Sequence, residues 1–347
     1  MRRISYCQAL NEAMNQEMER DPSVFVYGIG VPDHKGVFGT TVGLMERFGP
    51  DRCFDTPLSE DAMTGFGLGA ALNEARPIHV HMRMDFMLLA MNQLANMVAS
   101  YRYMSGGTLK VPLVIRAIMG RGWGQAFQHS KTMQSCFAHI PGLKVVMPTT
   151  PQDAKGLLVS AIRDDNPVIV IEHRWLYYAV DEVPEDDFCT PIGWPNTLLP
   201  GDDITVVATS WMNVEALRAA DVVRKRHDVS VEVIDARSVS PLDDSTIIKS
   251  VEKTGHCIIV DNDWIHCGFS AEIAARIAEK CFGKLKSPVR RLGFENTHCP
   301  CARHLEDAFY PNAATIVKAI EATLSLEETD LSGERLYTYE NKFRGPF

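Results

Sequence analysis

Short runs of apolar residues alternate along the chain with longer stretches in which apolar side chains recur at helical spacing. The short runs predict buried strands, and the amphipathic stretches between them predict helices. The predicted strands cover residues 24–27, 53–54, 111–116, 143–148, 167–172, 204–209, 230–235 and 257–261, and a further β-rich run begins at Arg76 and ends with Phe86. The predicted helices cover residues 4–20, 40–48, 87–103, 151–163, 213–226, 243–252 and 270–281. This alternation indicates an α/β fold class, with parallel-sheet domains covered by helices on both faces.

The alternation stops in the middle of the chain, where residues 180–201 are acidic, rich in proline and without period. A chain of 347 residues is comfortable as two domains of ordinary size. We therefore expect an α/β domain over residues 1–183, a linker over 184–202 and a second α/β domain over 203–325. The polar and aromatic tail, residues 326–347, is predicted to be either frayed or docked on a partner.

Charge and composition exclude several classes of partner. Lys and Arg total 35 against 44 for Asp and Glu, which gives a net charge of -9 and no general attraction to nucleic acid or to an anionic membrane. The N-terminus lacks an apolar segment of signal-peptide length, and no later run approaches the length of a membrane span. The expected location is therefore the cytoplasm.

The nine cysteines give no sign of a disulfide framework, because most of them lie inside apolar runs. One cluster, His298-Cys-Pro-Cys with His304, has residue types that bind metals. Its thiols, Cys299 and Cys301, have Cys-x-Cys spacing rather than Cys-x-x-Cys. The alternatives are a structural metal site and an ordinary loop with reduced thiols, and the spacing favours the loop.

The stretch from Asp55 to Gly69 carries the first candidate for chemistry. Glu60 follows a Pro-Leu-Ser turn at the predicted start of a helix, where Ser59 is able to cap the first turn. Glycines at positions 65, 67 and 69 leave room for a neighbouring backbone or a flat ligand. Glu60 is thus a candidate acid or base. The alternative is that it favours the helix dipole only, while the glycines form a packing seam.

A second candidate, His129, ends a glycine-rich loop that follows the predicted strand 111–116. Loops after the strands of a parallel sheet are where α/β proteins present their chemistry. A loop histidine that only caps or bonds a backbone carbonyl remains an equally good interpretation.

Several longer stretches then carry a resemblance to a known family. They are Glu17-Met-Glu-Arg-Asp, Arg47-Phe-Gly-Pro, Asp55-Thr-Pro-Leu-Ser-Glu, Tyr103-Met-Ser-Gly-Gly, Gln128-His-Ser, Pro141-Gly-Leu-Lys-Val-Val, Asp153-Ala-Lys-Gly-Leu-Leu, Ala161-Ile-Arg-Asp, Thr254-Gly-His and Gly268-Phe-Ser-Ala-Glu-Ile-Ala. Their order through most of the chain resembles the β subunit of the thiamine-diphosphate-dependent 2-oxoacid dehydrogenase E1 component. Pyruvate, branched-chain and acetoin dehydrogenases are of this type. The resemblance implies a transketolase-like pyrimidine-binding domain followed by a transketolase C-terminal-like domain.

The resemblance also implies roles for single residues. Glu60 matches the carboxylate that hydrogen-bonds the aminopyrimidine ring and favours the imino tautomer, whose nitrogen takes the proton from the thiazolium carbon. Phe86 matches the aromatic residue that stacks on the pyrimidine, and Leu58 matches an apolar contact beside it. His129 matches the histidine that faces the substrate.

The resemblance further implies what this chain leaves to others. No Gly-Asp-Gly motif, which holds the diphosphate through Mg²⁺ in this superfamily, occurs in the sequence. A separate E1 α-like subunit is therefore expected to supply those ligands in an α2β2 heterotetramer, and a lipoyl-bearing E2 is the expected acceptor. A K⁺ site in some relatives uses backbone carbonyls at the positions matching Leu113, Ala161, Ile162, Asp164 and Asn166.

Departures from the family pattern bear on the substrate. Where relatives have Met-Thr-Phe-Asn-Phe, this chain has Met82-Arg-Met-Asp-Phe, and Leu89 stands where many have Gln. The loop before His129 carries Arg121, Trp123 and Phe127 instead of small residues. These changes crowd or recharge the pocket, and they predict that the 2-oxo acid or the acceptor differs from pyruvate.

Three alternatives remain beside the decarboxylase interpretation, and one of them is a redox or metal protein that uses Cys299 and Cys301. A split transketolase or acyloin-synthase subunit would keep the cofactor but pass a two-carbon or acyl unit to an aldehyde or sugar. A non-catalytic scaffold would keep the fold alone, although the joint presence of Glu60, Phe86 and His129 argues against it.

Overall fold

The computed structural model describes residues 1–120, 125–334 and 336. These residues fall into two compact units. The first holds residues 1–120 and 128–192, and the second holds residues 125–127, 193–334 and 336. Each unit is built around its own sheet, so the α/β prediction is confirmed.

The sheet of the first unit is parallel and lies inside the protein. Its strands run in the spatial order β6-β7-β5-β4-β2-β3, with every pairing parallel. All residues of β5 and β7 are buried, as expected for strands covered on both faces. The strand bounds in this unit are β1 Arg2–Ser5, β2 Val24–Tyr27, β3 Cys53–Phe54, β4 Arg76–His81, β5 Val114–Met119, β6 Lys144–Val146, β7 Val168–His173 and β8 Val180–Val183.

Helices α1 (Tyr6–Arg20) and α7 (Pro151–Arg163) pack against each other, and each begins at a capping signal in the sequence. Helix α1 starts at a capping box, in which the Ser5 side chain accepts the Gln8 N–H while the Gln8 side chain accepts the Ser5 N–H. Helix α7 starts with Thr150 as its cap and a proline in the first turn. The helices of the first unit are α1 Tyr6–Arg20, α2 Leu44–Phe48, α3 Glu60–Leu72, α4 Met84–Met87, α5 Tyr101–Met104, α6 Gln134–Ala138 and α7 Pro151–Arg163.

The single helix predicted over residues 87–103 is wrong in detail. Helix α4 leads into a 3₁₀ turn at Leu88–Ala90, a π-helical stretch at Asn92–Val98, and then α5. The Ala99 N–H bonds the carbonyl of Leu94, five residues back. Apolar spacing alone does not separate these helix types, because each keeps much the same side chains on the buried face.

The second unit is also sheet-centred. Its five-stranded sheet has the order β14-β13-β10-β11-β9, parallel except for β9. The strands are β9 Asn196–Leu199, β10 Ile204–Ala208, β11 Val231–Asp235, β12 Ser238–Ser240, β13 Cys257–Trp264 and β14 Arg290–Phe294. The helices are α8 Trp211–His227, α9 Ser245–Thr254, α10 Phe269–Lys280, α11 Arg303–Phe309 and α12 Ala313–Leu324.

Two short strands lie in the stretch that we expected to be without regular structure. Strand β8 pairs antiparallel with β1, and β9 pairs antiparallel with β11. Edge strands this short have too few residues for a detectable alternation of apolar and polar positions.

Lys155 fixes the segment that follows β8. Its buried ammonium donates to the carbonyls of Pro184, Glu185 and Asp186 at 2.8–3.0 Å and to the carboxylate of Glu12 at 2.6 Å. Burial lowers the pKa of Lys155 to about 8. The proline-rich stretch is therefore held by a side chain of α7 at its start.

The described part of the tail packs on its own unit. Leu326, Leu331 and Leu336 contact the core of the second unit. The Thr329 N–H bonds the carboxylate of Glu321, and Arg226 pairs with Glu334. These contacts anchor residues 326–334 and 336 on the core of the second unit, and docking of the tail on a partner stays a prediction. The rest of the tail lies outside the described residues.

Candidate active site

The three candidate side chains follow the carboxyl ends of three strands of the first sheet. Glu60 is the first residue of α3, which comes after β3. Phe86 lies in α4, just after β4, and His129 lies in the segment after β5. Because these strands are parallel members of one sheet, the fold brings the three segments to the same edge.

Phe86 and His129 are in contact. Their ring centroids are 5.4 Å apart and their planes are nearly perpendicular, an edge-to-face arrangement. The Phe86 side chain is 36% exposed, so part of its ring remains accessible to a ligand. The expectation that Phe86 ends a strand is wrong, since a short helix carries it, but its position next to His129 fits the site.

Glu60 stands at the N-terminal end of α3 and is half-buried. Ser59 occupies the N-cap position, yet its side chain makes no capping hydrogen bond, so that prediction is wrong. Within the described residues Glu60 makes no hydrogen bond or ion pair, whereas the neighbouring Asp61 accepts a hydrogen bond from Gln93. The Glu60 carboxylate therefore remains available to a donor from outside the chain, and the helix dipole favours its negative charge.

Two features surround these residues. Helix α3 packs against the segment of residues 88–98 that follows Phe86. Leu58, just before α3, is 82% exposed. A carboxylate at a helix N-terminus and an accessible aromatic ring are the groups that an aminopyrimidine needs, one to bond it and one to stack on it.

The glycines of α3 serve different purposes. A Cβ on Gly67 would stand 2.1 Å from the Tyr27 hydroxyl, which donates to the carbonyl of Met63. Gly69 has nothing within 4 Å, and Gly65 makes only ordinary contact with Gln93. Gly67 is thus a packing position, which supports the packing-seam alternative for that residue.

A pair of buried histidines lies under α3. The His79 ring stacks on Tyr27 at 4.5 Å and contacts the His81 ring at 4.1 Å. Burial lowers the pKa of His81 to about 4, and burial together with His81 lowers that of His79. Both rings are therefore neutral near pH 7.

We expect this pair to make the protein sensitive to acid. The unfolded His81 takes up a proton below its ordinary pKa of about 6.5, whereas the folded one does so only near 4. Stability is thus fully present above pH 6.5 and falls as the pH drops toward 4. His81 alone contributes a loss of about 2 kcal/mol between pH 7 and pH 5. Urea unfolding at both pH values should show a smaller loss for His81→Phe than for the wild type. The control is the exposed His139→Gln. If His81→Phe lost as much unfolding free energy between pH 7 and pH 5 as His139→Gln does, His81 would not be the cause of the acid sensitivity.

Several backbone groups of the five residues of the expected K⁺ site already have hydrogen-bond partners. The guanidinium of Arg76 donates to the carbonyls of Ile162 and Asp164 at 2.9 and 3.1 Å. The Leu113 carbonyl accepts the Val168 N–H, the Ala161 carbonyl accepts the Asp164 N–H, and the Asn166 N–H bonds the Asp164 side chain. Each carbonyl has a second lone pair, so these bonds do not by themselves fill the oxygens.

The cysteine cluster of the second unit is a packed loop. Cys299 is buried with Phe294, Phe309 and Tyr310, and Cys301 is exposed. Among the described residues no group of three or more His, Cys, Asp or Glu side chains has the arrangement of a metal site. All nine cysteines lie in the described part of the chain and are free thiols.

Comparison with known proteins gives the family. Residues 2–179 match the transketolase pyrimidine-binding domain, and residues 195–316 match the transketolase C-terminal domain. The chain is 43% identical to the β subunit of acetoin:2,6-dichlorophenolindophenol oxidoreductase of Cupriavidus necator, over 93% of this chain and 98% of that protein. It belongs to the β subunits of the 2-oxoacid dehydrogenase E1 components.

Other relatives of this E1 β-type chain agree. It is 42% identical to the 2-oxoisovalerate dehydrogenase subunit β of Bacillus subtilis, over 91% of this chain and 97% of that one. It is 39% identical to the pyruvate dehydrogenase E1 subunit β of Rickettsia bellii, over 92% and 98%. A solved structure titled as a split gene transketolase in an inactive β4 tetramer has the same fold, with a TM-score of 0.74 at 20% identity over 94% of this chain and 99% of that one. None of the described helices is both long enough and apolar enough to cross a membrane.

Proposed function

We propose that this E1 β-type chain, together with an α subunit, forms a thiamine-diphosphate enzyme that decarboxylates a 2-oxo acid and transfers the acyl group to a lipoyl carrier. The observation that carries the proposal is the placement of Glu60, Phe86 and His129 after the carboxyl ends of parallel strands, with Phe86 and His129 in contact. Family membership and the names of the relatives support it.

In this proposal each side chain has one task. Glu60 would accept a hydrogen bond from the aminopyrimidine ring of the cofactor, and its negative charge would favour the imino tautomer of that ring. Phe86 stacks on the pyrimidine, and Leu58 covers its edge. His129 donates to the substrate carboxylate or to the oxygen that gains charge. Thiamine diphosphate, when bound, supplies the carbon nucleophile that attacks the 2-oxo group.

The remaining ligands are proposed to come from the α subunit of an α2β2 heterotetramer. This chain contains no Gly-Asp-Gly motif, so we propose that the α subunit holds the diphosphate through Mg²⁺. We also propose K⁺ at the carbonyls of Leu113, Ala161, Ile162, Asp164 and Asn166, where it would share oxygens with Arg76. The substituted residues Arg83 and Phe127 favour a substrate other than pyruvate. Arg121 and Trp123 lie outside the described residues.

The test is reconstitution of the chain with its α subunit. The complex is assayed with pyruvate and with branched 2-oxo acids, using either a dye or a lipoyl domain as acceptor. Decarboxylation with transfer to the lipoyl domain is expected, with pyruvate not the preferred 2-oxo acid. Assays with K⁺ or Na⁺ as the sole monovalent cation test the carbonyl site.

A split transketolase is the second candidate, because a protein of that title shares the fold over nearly the whole chain. The same complex should then move a two-carbon unit from a ketose to an aldehyde and fail to acylate the lipoyl domain. Assembly with the α subunit but no turnover of either kind would instead indicate a scaffold.

A further inference from the structure

Three consecutive side chains after β4 bind both ends of the segment that carries His129. Arg83 donates from Nη1 to the carbonyl of Gly120 at 3.4 Å. Asp85 accepts the Lys131 N–H at 3.2 Å, and the Met84 sulfur accepts the Met133 N–H at 3.0 Å. All three are buried, with Arg83 and Asp85 only 5% and 8% exposed. We call Arg83, Met84 and Asp85 the tether.

The first end of the segment has little freedom. Gly120 has a φ of +98°, and a Cβ there would stand 2.5 Å from the Nε2 atom of His173. A side chain at this position is therefore both strained and excluded by its neighbour. Arg83 thus bonds the carbonyl of a residue whose backbone conformation is easily adopted only by glycine.

The second end is held by charge as well as by a hydrogen bond. The Lys131 ammonium lies 3.6 Å from the same Asp85 oxygen that accepts the backbone N–H. Burial raises the pKa of the Asp85 carboxyl, and the two contacts with Lys131 oppose that rise. A buried carboxylate is costly unless donors surround it, so Asp85 favours conformations in which Lys131 stays close.

This geometry also fixes the histidine. Lys131 is two residues from His129, and Phe86, which contacts the His129 ring, is adjacent to Asp85 in the chain. We propose that Asp85 is a positioning residue that holds His129 against Phe86 through Lys131. The proposal rests on the proposed function for the role of His129, but the contact itself does not.

If Asp85 positions His129, replacing Asp85 should affect substrate turnover much more than cofactor binding. Of the three proposed cofactor contacts, Asp85 touches neither Glu60 nor Leu58 in the contacts of the described residues. The third, Phe86, keeps the hydrogen bond from its N–H to the Arg83 carbonyl, which the loss of the Asp85 side chain does not remove. Its loss should displace His129 and slow the chemical step, and misplacement of a catalytic group on the scale of 1 Å costs roughly ten- to a hundredfold in rate. Binding of thiamine diphosphate should change little.

The experiment uses the α–β complex with Asp85→Ala, Asp85→Asn and His129→Ala, and with Asp85→Ala combined with His129→Ala. Asp85→Ala is expected to lower kcat about tenfold while the KM for thiamine diphosphate stays within about twofold. Asp85→Asn keeps an oxygen that accepts the Lys131 N–H and should recover part of the rate. In the H129A background, Asp85→Ala should add less than about twofold, because the two residues act in series.

Hydrogen exchange supplies a readout that does not depend on activity. Asp85→Ala should speed amide exchange in peptides covering residues 128–134 about tenfold and leave the rest of the chain unchanged. The control is Asp21→Ala, which removes a carboxylate that accepts the Ser23 N–H before β2, at the opposite edge of the sheet. It should change neither kcat nor exchange in residues 128–134.

Two results would overturn the proposal. One is an equal loss of kcat from Asp85→Ala in the wild-type and H129A backgrounds. The other is exchange in residues 128–134 that is unchanged, or that rises no more than exchange elsewhere. A wild-type complex without 2-oxo acid activity would refute the proposed function instead, and the exchange result would still decide whether Asp85 holds the segment.

Discussion

Replacing Glu60 with Gln is expected to lower the 2-oxo acid turnover of the reconstituted complex by about a hundredfold or more, the usual range for loss of acid–base catalysis. Gln has the same shape and keeps one acceptor oxygen, but it lacks the negative charge that favours the reactive tautomer. The half-buried position of Glu60 at the start of α3, without a partner among the described residues, leaves that charge to act on a ligand. The measurement is kcat with saturating thiamine diphosphate.

Asp61→Asn is the matched control, because Asp61 is an acidic residue of the same helical turn that bonds Gln93 and is exposed. Its kcat should stay within about twofold of the wild type, as expected for a surface change away from the site. Gel filtration should show that both variants assemble with the α subunit. Unchanged turnover in Glu60→Gln would remove Glu60 from the mechanism and favour the scaffold alternative.

The largest effect on stability is expected from the buried ion pair in the first sheet. Arg116 of β5 and Glu172 of β7 have fully buried side chains, and they are joined by two hydrogen bonds of 2.5 and 2.8 Å. Tyr177 donates to the same carboxylate at 2.7 Å. Glu172→Ala leaves the guanidinium buried without its counter-charge and should cost about 3–5 kcal/mol of unfolding free energy.

The double variant Arg116→Met with Glu172→Leu distinguishes the cost of an unpaired buried charge from the cost of lost packing. Because it removes both charges and keeps apolar volume, it should recover most of the stability lost in Glu172→Ala. Urea unfolding of the purified chain is the measurement. The control, Glu19→Gln, breaks an exposed pair with Arg47 and should leave the urea midpoint unchanged. A double variant as unstable as Glu172→Ala would show that packing, not the unpaired charge, sets the cost.

The long elements of the fold could be predicted from the sequence, and the short or irregular ones could not. Mostly apolar runs such as β5 and β7, all of whose residues are buried, are stable as strands of a covered sheet, and the signals at Thr150 and Pro151 mark where α7 begins. The π-helical stretch at Asn92–Val98 and the antiparallel edge strands depend on tertiary contacts that leave little periodic signal. The packing of the tail on the second unit could not be predicted, because isolated leucines anchor it and give no periodic pattern.

For the site, the sequence located the catalytic candidates but not what holds them. Glu60 and His129 stand in recognisable positions after strands, and the resemblance supplied their roles. The tether is different, because its function is carried by backbone amides at residues 131 and 133 that no residue pattern reports. Its sequence signal is the departure at Met82-Arg-Met-Asp-Phe, which predicts a changed substrate pocket but does not reveal these backbone contacts.

The exposure of Leu58, together with that of Leu89 at 63%, has a consequence for how cells must make this protein. Large apolar side chains left in water favour unspecific association, which chaperones and proteases act on. A β chain made in excess over its α partner is therefore expected to aggregate or be degraded, so balanced synthesis of the two chains becomes a condition for a good yield of enzyme.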